Sequence, residues 1–336
     1  MDYQPDTAEI SNENSSTRET NAPPEKFSDP YFTAKGERRA SVPLTGVETL
    51  WFNTGTLCNI ACENCYILSS PTNDALVYIT EAEVVDYLDQ IDERRESAPT
   101  RWPVREIAFT GGEPFMNPDM VGMAESALVR GYNVLILTNA MQPMMRPRVQ
   151  KGLLDLLERF GDKLTLRISL DHYSEKLHDT ERGKGSFAKA MEGVRWLAEH
   201  AFRLDAAGRT CWGESEEEAR AGYEKMFADE GVPIDAYDPS RCILFPEMDE
   251  KAEVPEISAA CWGILNIDPK HIMCATSRMV VKRRGAEKPA VLACTLLAYD
   301  DEFELGSTLR EAEKPIKLNH HHCAKFCVLG GGSCTA

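Results

Sequence analysis

Three observations in this chain of 336 residues predict an α/β fold: an open barrel of parallel strands with helices outside, followed by a small cysteine-rich domain. Between residues 47 and 250, apolar β-type runs alternate with amphipathic helical runs through six βα units. No Gly-x-Gly-x-x-Gly follows the first strand, which disfavours a dinucleotide-binding sheet and favours a partial (β/α)6 TIM-like barrel. From about residue 255 that rhythm gives way to short strand-like runs, and six of the eleven cysteines fall in the last 76 residues.

Residues 1–46 carry Pro, Ser, Asn, Thr and mixed charge with almost no apolar periodicity, which predicts a disordered N-terminal tail. VETLWFN (47–53) reads as the first strand. Thr80 and Glu83 then form a T-x-x-E capping box ahead of Val84, Tyr87, Leu88 and Ile91 at helical spacing. EIAFT (106–110) is the second strand, and Asn117 followed by Pro118 predicts an N-cap with proline at the first helical position. NVLILT (133–138) precedes a helix with Val149, Leu153, Leu156, Leu157 and Phe160 on one face, its entry closed by Met144 and Met145. LTLRISL (164–170) precedes a helix carrying Phe187, Ala190, Met191, Val194 and Leu197. AFRL (201–204) leads to a helix opened by Ser215 and Glu218, with Ala219, Tyr223, Met226 and Phe227 inward, and RCILF (241–245) is the sixth strand. The predicted division is therefore 1–46 tail, 47–250 barrel and 255–336 cysteine-rich domain. In the last, RMVVKRR and PAVLACTLL flank a G-A-E-K-P turn, so Lys282, Arg283 and Arg284 are expected on an exposed hairpin.

Composition limits the function. No run approaches eighteen apolar residues, so no helical membrane span is expected. The formal charge of -17 disfavours the unspecific phosphate attraction on which nucleic-acid binders rely. MDYQPDTAEI has neither a basic start nor an apolar core, so no secretory signal accounts for the cysteines as disulfides. A cytoplasmic chain with clustered cysteines uses them as metal ligands or catalytic thiols.

The loop after the first strand places Cys58, Cys62 and Cys65 in a C-x3-C-x2-C arrangement, on the side of a barrel where chemistry sits. Three thiolates hold three irons of a cubane and leave the fourth iron open, whereas a four-ligand cluster or a structural zinc needs another donor. FTGGEP (109–114) ends the second strand. Gly111 and Gly112 let the backbone come close to a ligand and Glu113 supplies an acceptor, although a tight strand-to-helix turn uses glycines in the same way.

Together these stretches resemble the radical S-adenosylmethionine (radical SAM) superfamily over roughly residues 47–246. LTNA (137–140), ISLD (168–171) and HDTERGKGSF (178–187) agree, the last two resembling the S-x-D and H-D-x-x-R stretches of members with auxiliary clusters. The resemblance implies that Cys58, Cys62 and Cys65 ligate a [4Fe-4S] cluster whose open iron is chelated by S-adenosylmethionine (SAM). It implies that Gly111, Gly112 and Glu113 receive the SAM amino group, that Ser169 and Asp171 meet the ribose, and that Thr138 and Asn139 line the same pocket. Arg182 faces the SAM carboxylate or forms a surface ion pair. The implied activity is reductive cleavage of SAM to a 5'-deoxyadenosyl radical for hydrogen abstraction, fed by an electron donor such as flavodoxin or ferredoxin.

Cys261, Cys274, Cys294, Cys323, Cys327 and Cys334 lie in stretches that resemble the auxiliary-cluster extensions called SPASM and twitch, with shorter spacings and Lys270 in place of an expected glycine. Six thiols suffice for one fully ligated auxiliary [4Fe-4S] cluster but not for two. The expected ligands are Cys323, Cys327 and Cys334 with Cys274 or Cys294, and zinc is the alternative metal. Cys211 and Cys242 are expected in the core, and His320, His321 and His322 as solvated loop histidines. The substrate is a peptide or a small molecule. Residues 1–46 are too short and polar for a leader-peptide-reading domain. An iron-sulfur carrier or metal-binding module that never cleaves SAM is the alternative of another class, and a tRNA-modifying enzyme is disfavoured by the charge.

Overall fold

The computed structural model describes residues 25–249 and 251–332. Eleven strands are formed: β1 (Ser41–Val42), β2 (Thr49–Asn53), β3 (Glu106–Thr110), β4 (Asn133–Thr138), β5 (Leu164–Ser169), β6 (Arg203–Thr210), β7 (Cys242–Pro246), β8 (Ser277–Val281), β9 (Ala290–Leu292), β10 (Glu304–Gly306) and β11 (Ile316–Lys317). The helices are α1 (Glu81–Ser97), α2 (Met120–Val129), α3 (Pro147–Phe160), α4 (Glu175–Arg182), α5 (Ser186–Glu199), α6 (Glu216–Glu230) and the short α7 (Cys261–Leu265). Nine strands make one sheet in the order β10-β9-β8-β2-β3-β4-β5-β6-β7, parallel from β8 to β7 and antiparallel over β8, β9 and β10. A parallel sheet covered by helices is buried on both faces, and β2 is buried at all five positions.

The helix starts follow local chemistry. Thr80 accepts from the Glu83 backbone N–H while the Glu83 carboxylate accepts from Thr80, and Ser215 and Glu218 repeat the arrangement at α6. The apolar faces turn inward as their spacing predicts: Val84, Tyr87, Leu88 and Ile91 in α1, and Ala219, Tyr223, Met226 and Phe227 in α6, are buried. The α2 start differs from expectation. Asp119 holds the cap position, while Asn117 lies two residues earlier: its Oδ1 accepts from the Asp119 N–H at 2.9 Å and its amide donates to the Thr54 and Ile79 carbonyls. Asn117 thereby ties the loops after β2 and before α1 to the end of β3.

β6 runs past the expected AFRL stretch to Thr210. Within it Gly208 is excluded from carrying a side chain by Tyr223: a Cβ there would meet the Tyr223 hydroxyl at 2.2 Å. That hydroxyl donates to the Leu170 carbonyl at 2.6 Å.

Two features cross the expected domain boundaries. β8 pairs parallel with β2, Thr49 opposite Ser277, so the cysteine-rich region extends the barrel sheet. Its SRMVV run is buried at every position, the pattern of an interior strand. The expected tail lies outside the described residues up to position 24, whereas residues 25–46 are packed. Ala40 and Val42 are buried and β1 pairs with β11. One carboxylate organises the segment: Glu256 accepts from the Phe27 and Ala34 backbones and from Arg39 at 2.8, 2.6 and 2.6 Å. Polar composition hides this order because a buried acceptor, not apolar periodicity, holds the chain. No described helix is long and apolar enough to cross a membrane.

Candidate active site

The strand ends converge on one cavity of about 150 Å³. Its lining includes Cys58, Cys62 and Cys65 from the loop after β2, Gly111 and Gly112 after β3, and Thr138 and Asn139 at β4. Ser169 and Asp171 at β5, Arg182 of α4, and Arg209 of β6 complete the ring. Asn64, Cys65, Tyr66, Arg209 and Met248 also line an outer cleft of about 940 Å³, whose wall comes partly from the C-terminal region, including Tyr299, His320 and His322.

The glycines at β3 serve the cysteine loop directly. Gly112 N–H donates to the Gly55 carbonyl at 2.8 Å and Glu113 N–H to the Leu57 carbonyl at 3.2 Å. A Cβ on Gly112 would stand 2.3 Å from the Leu57 oxygen, and one on Gly111, at φ +146°, would stand 2.6 Å from the Gly55 oxygen. Both positions therefore exclude a side chain because the backbone just before Cys58 occupies that space, while their own backbone still borders the cavity.

Glu113 is 1% exposed and is not among the cavity's lining residues. Its carboxylate accepts from Thr138 Oγ1 at 2.8 Å, from Asn139 N at 2.8 Å and from Phe115 N at 3.2 Å, joining the β3 and β4 ends. Burial pushes this carboxyl up to about 7, with those hydrogen bonds opposing the rise. Asn139 carries the clamp onward, donating to Asn59 Oδ1 at 2.9 Å and reaching Cys58 Sγ at 3.9 Å.

Asp171 is 7% exposed and takes Arg182 in a two-pronged pair at 2.7 and 3.2 Å. Burial alone would raise its carboxyl, but the Arg182 charge and hydrogen bond, with Arg209 behind them, hold it below the ordinary range. Arg182 is thus an internal ion pair on the cavity wall rather than a surface one. Its charge also reaches the thiols. Burial pushes Cys58 up to about 12 and Cys62 up to about 11, and Arg182 opposes both. Thiols in so dry a setting become ligands when a metal takes the proton's place.

A second network was not legible in the sequence. Glu181 accepts from the Asn64 amide at 3.0 Å and from Arg209 at 3.1 Å, and its backbone carbonyl takes Glu63 N–H at 2.8 Å. The turn between Cys62 and Cys65 is therefore fastened to α4 and β6. Glu181 stands inside the HDTERGKGSF stretch, but nothing in its spacing names Asn64. Tyr299 adds a hold from the C-terminal side, donating to the Ile67 carbonyl at 2.8 Å.

The remaining cysteines separate by environment. Cys242 is buried in the core, whereas Cys211 follows β6 and lines the outer cleft instead. Cys274 and Cys323 are buried, and Cys261, Cys294 and Cys327 are partly so. Cys274, Cys294 and Cys323 lie within electrostatic reach of one another. Cys334 lies outside the described residues. Among the described residues no three His, Cys, Asp or Glu side chains converge on a point that a single metal ion would fill. His320, His321 and His322 are packed rather than solvated: His322 is 4% exposed, and His321 Nε2 bonds the Ala252 carbonyl at 2.7 Å. The basic run at the β8–β9 hairpin is likewise engaged, Lys282 with Glu83, Arg283 with Glu304 and Arg284 with Asp74.

Comparison with known proteins agrees with the geometry of the site. Residues 52–209 match the Radical SAM superfamily. That segment, a little under half of the chain, is similar to the radical SAM domain. The antilisterial bacteriocin subtilosin biosynthesis protein AlbA of Bacillus subtilis is 29% identical over 176 residues, covering 52% of this chain and 35% of AlbA. The mycofactocin maturase MftC of Mycobacterium ulcerans is 28% identical over 145 residues, 43% of this chain and 35% of MftC. The chain thus spans about a third of the length of these curated relatives. Streptococcus suis SuiB, solved with SAM bound, shares the fold at a TM-score of 0.54 and 12% identity, over 81% of this chain and 65% of SuiB. Radical SAM proteins use a [4Fe-4S] cluster and SAM. The donor set fits: three thiols from one loop, the number a cubane with one open iron takes, border a cavity whose arginines offset the negative charge of such a centre.

Proposed function

We propose that this chain cleaves SAM reductively and uses the resulting radical to take hydrogen from a peptide or small-molecule substrate. One observation carries the reading: the three cysteines share a single cavity with Gly111, Gly112, Ser169, Asp171 and Arg182 at the ends of β2 to β6. When bound, the cluster supplies one electron that breaks the SAM sulfonium bond and leaves a 5'-deoxyadenosyl radical. Cys58, Cys62 and Cys65 would hold the cluster and leave one iron open to SAM. The cavity-lining backbone at Gly111 and Gly112 would receive the amino group, Glu113 keeps the β3 and β4 ends together, and Ser169 would meet the ribose. Arg182, held by Asp171, offers positive charge to the SAM carboxylate and the thiolates. Partly buried apolar side chains such as Leu137 would help keep water from the radical.

A peptide substrate is favoured. The outer cleft is large enough for a chain segment and is lined in part by the cysteine loop through Cys65, and the names of two curated relatives, a bacteriocin biosynthesis protein and a maturase, support it. Anaerobic reconstitution followed by reduction with SAM tests the activity: 5'-deoxyadenosine is expected from the wild type and not from a Cys58→Ala, Cys62→Ala, Cys65→Ala variant. Cluster formation without cleavage under any reductant would leave an iron-sulfur carrier.

A further inference from the structure

Five arginines are buried among the described residues, Arg39, Arg167, Arg209, Arg220 and Arg278. Four of them meet a carboxylate: Arg39 meets Glu256 at 2.6 Å, Arg167 meets Asp205 at 3.7 Å, Arg209 meets Glu181 at 3.1 Å and Arg220 meets Glu216 at 2.8 Å. Arg278, in β8 and 0% exposed, meets none among the described residues. Its guanidinium donates only to main-chain oxygens: those of Ala312 at 3.0 Å, Cys274 at 2.6 Å, Ser277 at 2.7 Å and Lys314 at 3.0 Å. Carbonyl groups satisfy its donors but do not neutralise its charge. A buried cation without an anion is costly, so an anion is to be sought nearby.

The groups around it are thiols. Cys274 precedes Arg278 by four residues and gives it a carbonyl. β9 pairs with β8 up to Leu292 opposite Met279, and Cys294, two residues beyond that end, lies within electrostatic reach of both Arg278 and Cys274. Cys323, 7% exposed, belongs to the same packed core as Cys274. We propose that Arg278 is the buried counter-charge of an anionic iron-sulfur centre held by Cys274, Cys294 and Cys323, and that it makes that centre easier to reduce. This rests on the reading of the C-terminal cysteines as an auxiliary cluster site. A thiolate-bound cubane is anionic, gains a further negative charge on reduction, and has a potential set by net charge and by the groups around it.

The test uses the full chain with Cys58→Ala, Cys62→Ala and Cys65→Ala, which leaves only the C-terminal centre and reads nothing from SAM cleavage. After anaerobic reconstitution, about four irons with matching sulfide are expected. Arg278→Met on that background should lower the reduced-to-oxidised ratio at a fixed potential about tenfold, 59 mV for a one-electron couple, in an EPR-monitored titration. Arg278→Lys keeps the charge and should keep both the iron and the potential, so it decides the matter even where Arg278→Met does not fold. No iron in the parent background overturns the auxiliary-cluster reading and this proposal with it. Iron retained with an unchanged potential in Arg278→Met, or a centre lost from a folded Arg278→Lys, overturns the counter-charge alone.

Discussion

Mild acid should loosen the active site through His178. This side chain is 0% exposed, its two ring nitrogens have no hydrogen-bond partner among the described residues, and Phe187 packs edge-on at 5.4 Å. Burial, aided by Arg182, lowers its pKa from the ordinary 6.5 to about 4, with Asp171 and Asp179 opposing. The unfolded chain therefore takes up a proton below about 6.5 that the folded chain refuses until about 4, so stability falls as the pH falls through that window. Between pH 7 and pH 5 the loss from this one group is about 2 kcal/mol, at 1.36 kcal/mol for each pH unit below 6.5. The neighbouring Asp171 and Asp179 are held below the ordinary carboxylate range and stay ionised there. Urea unfolding of the metal-free protein at pH 7 and pH 5 measures the loss, and His178→Leu should remove about that much of it. Parallel losses in the wild type and the variant would refute the reasoning. The consequence is local because α4 also carries Glu181 and Arg182, so SAM binding should weaken in the same window.

Glu113 should act with the opposite sign. Its folded pKa is raised to about 7, so its burial costs stability as the pH rises from about 4.5, and Glu113→Gln should gain about 2 kcal/mol relative to the wild type between pH 5 and pH 7. Urea midpoints across that range read the difference. Gly112→Ala places a methyl 2.3 Å from the Leu57 oxygen and should cost about 1–3 kcal/mol while displacing the cysteine loop, seen as iron lost on reconstitution. Arg39→Ala leaves Glu256 buried and unpaired, a loss of about 3–5 kcal/mol, and limited proteolysis should then cut between residues 25 and 40.

The parts of the fold carried by periodicity and caps were legible. Both capping boxes and the barrel strands at 106–110 and 133–138 stand where their sequences put them. Legibility failed where a distant partner decides the outcome. Gly208 looks too weak for a strand until Tyr223 is laid across it, and residues 25–46 look unfoldable until Glu256 supplies their acceptor. In the site, the cysteines and glycines stand out because they follow strand ends and Arg182 because its stretch resembles a family motif, and the structure gathers them in one cavity. What those residues do to one another was not legible: the Asp171–Arg182 pair, the Glu113 clamp and the Glu181 hold on Asn64 are contacts between segments far apart in sequence.

The sheet order also bears on how the two cysteine regions depend on each other. β2, which launches the cysteine loop, has β3 on one side and β8 on the other. A chain ended at residue 254 would strip that second side and bare a run of unpaired β2 backbone groups beside Leu50 and Phe52, both 0% exposed in the whole protein. It would also remove Met279, Val280 and Val281, each 0% exposed and each worth about 1.5–3 kcal/mol of burial. The sum is comparable to the whole stability of an ordinary domain, about 5–15 kcal/mol. The shortened chain should therefore aggregate, as size-exclusion chromatography and circular dichroism would report. A monomeric, folded product that still assembles three-cysteine iron would show that the barrel stands alone. If it does not, the auxiliary region holds the radical site's first strand in place, and loss of its metal should be felt at Cys58 through the β8–β2 pairing rather than through any residue the two sites share.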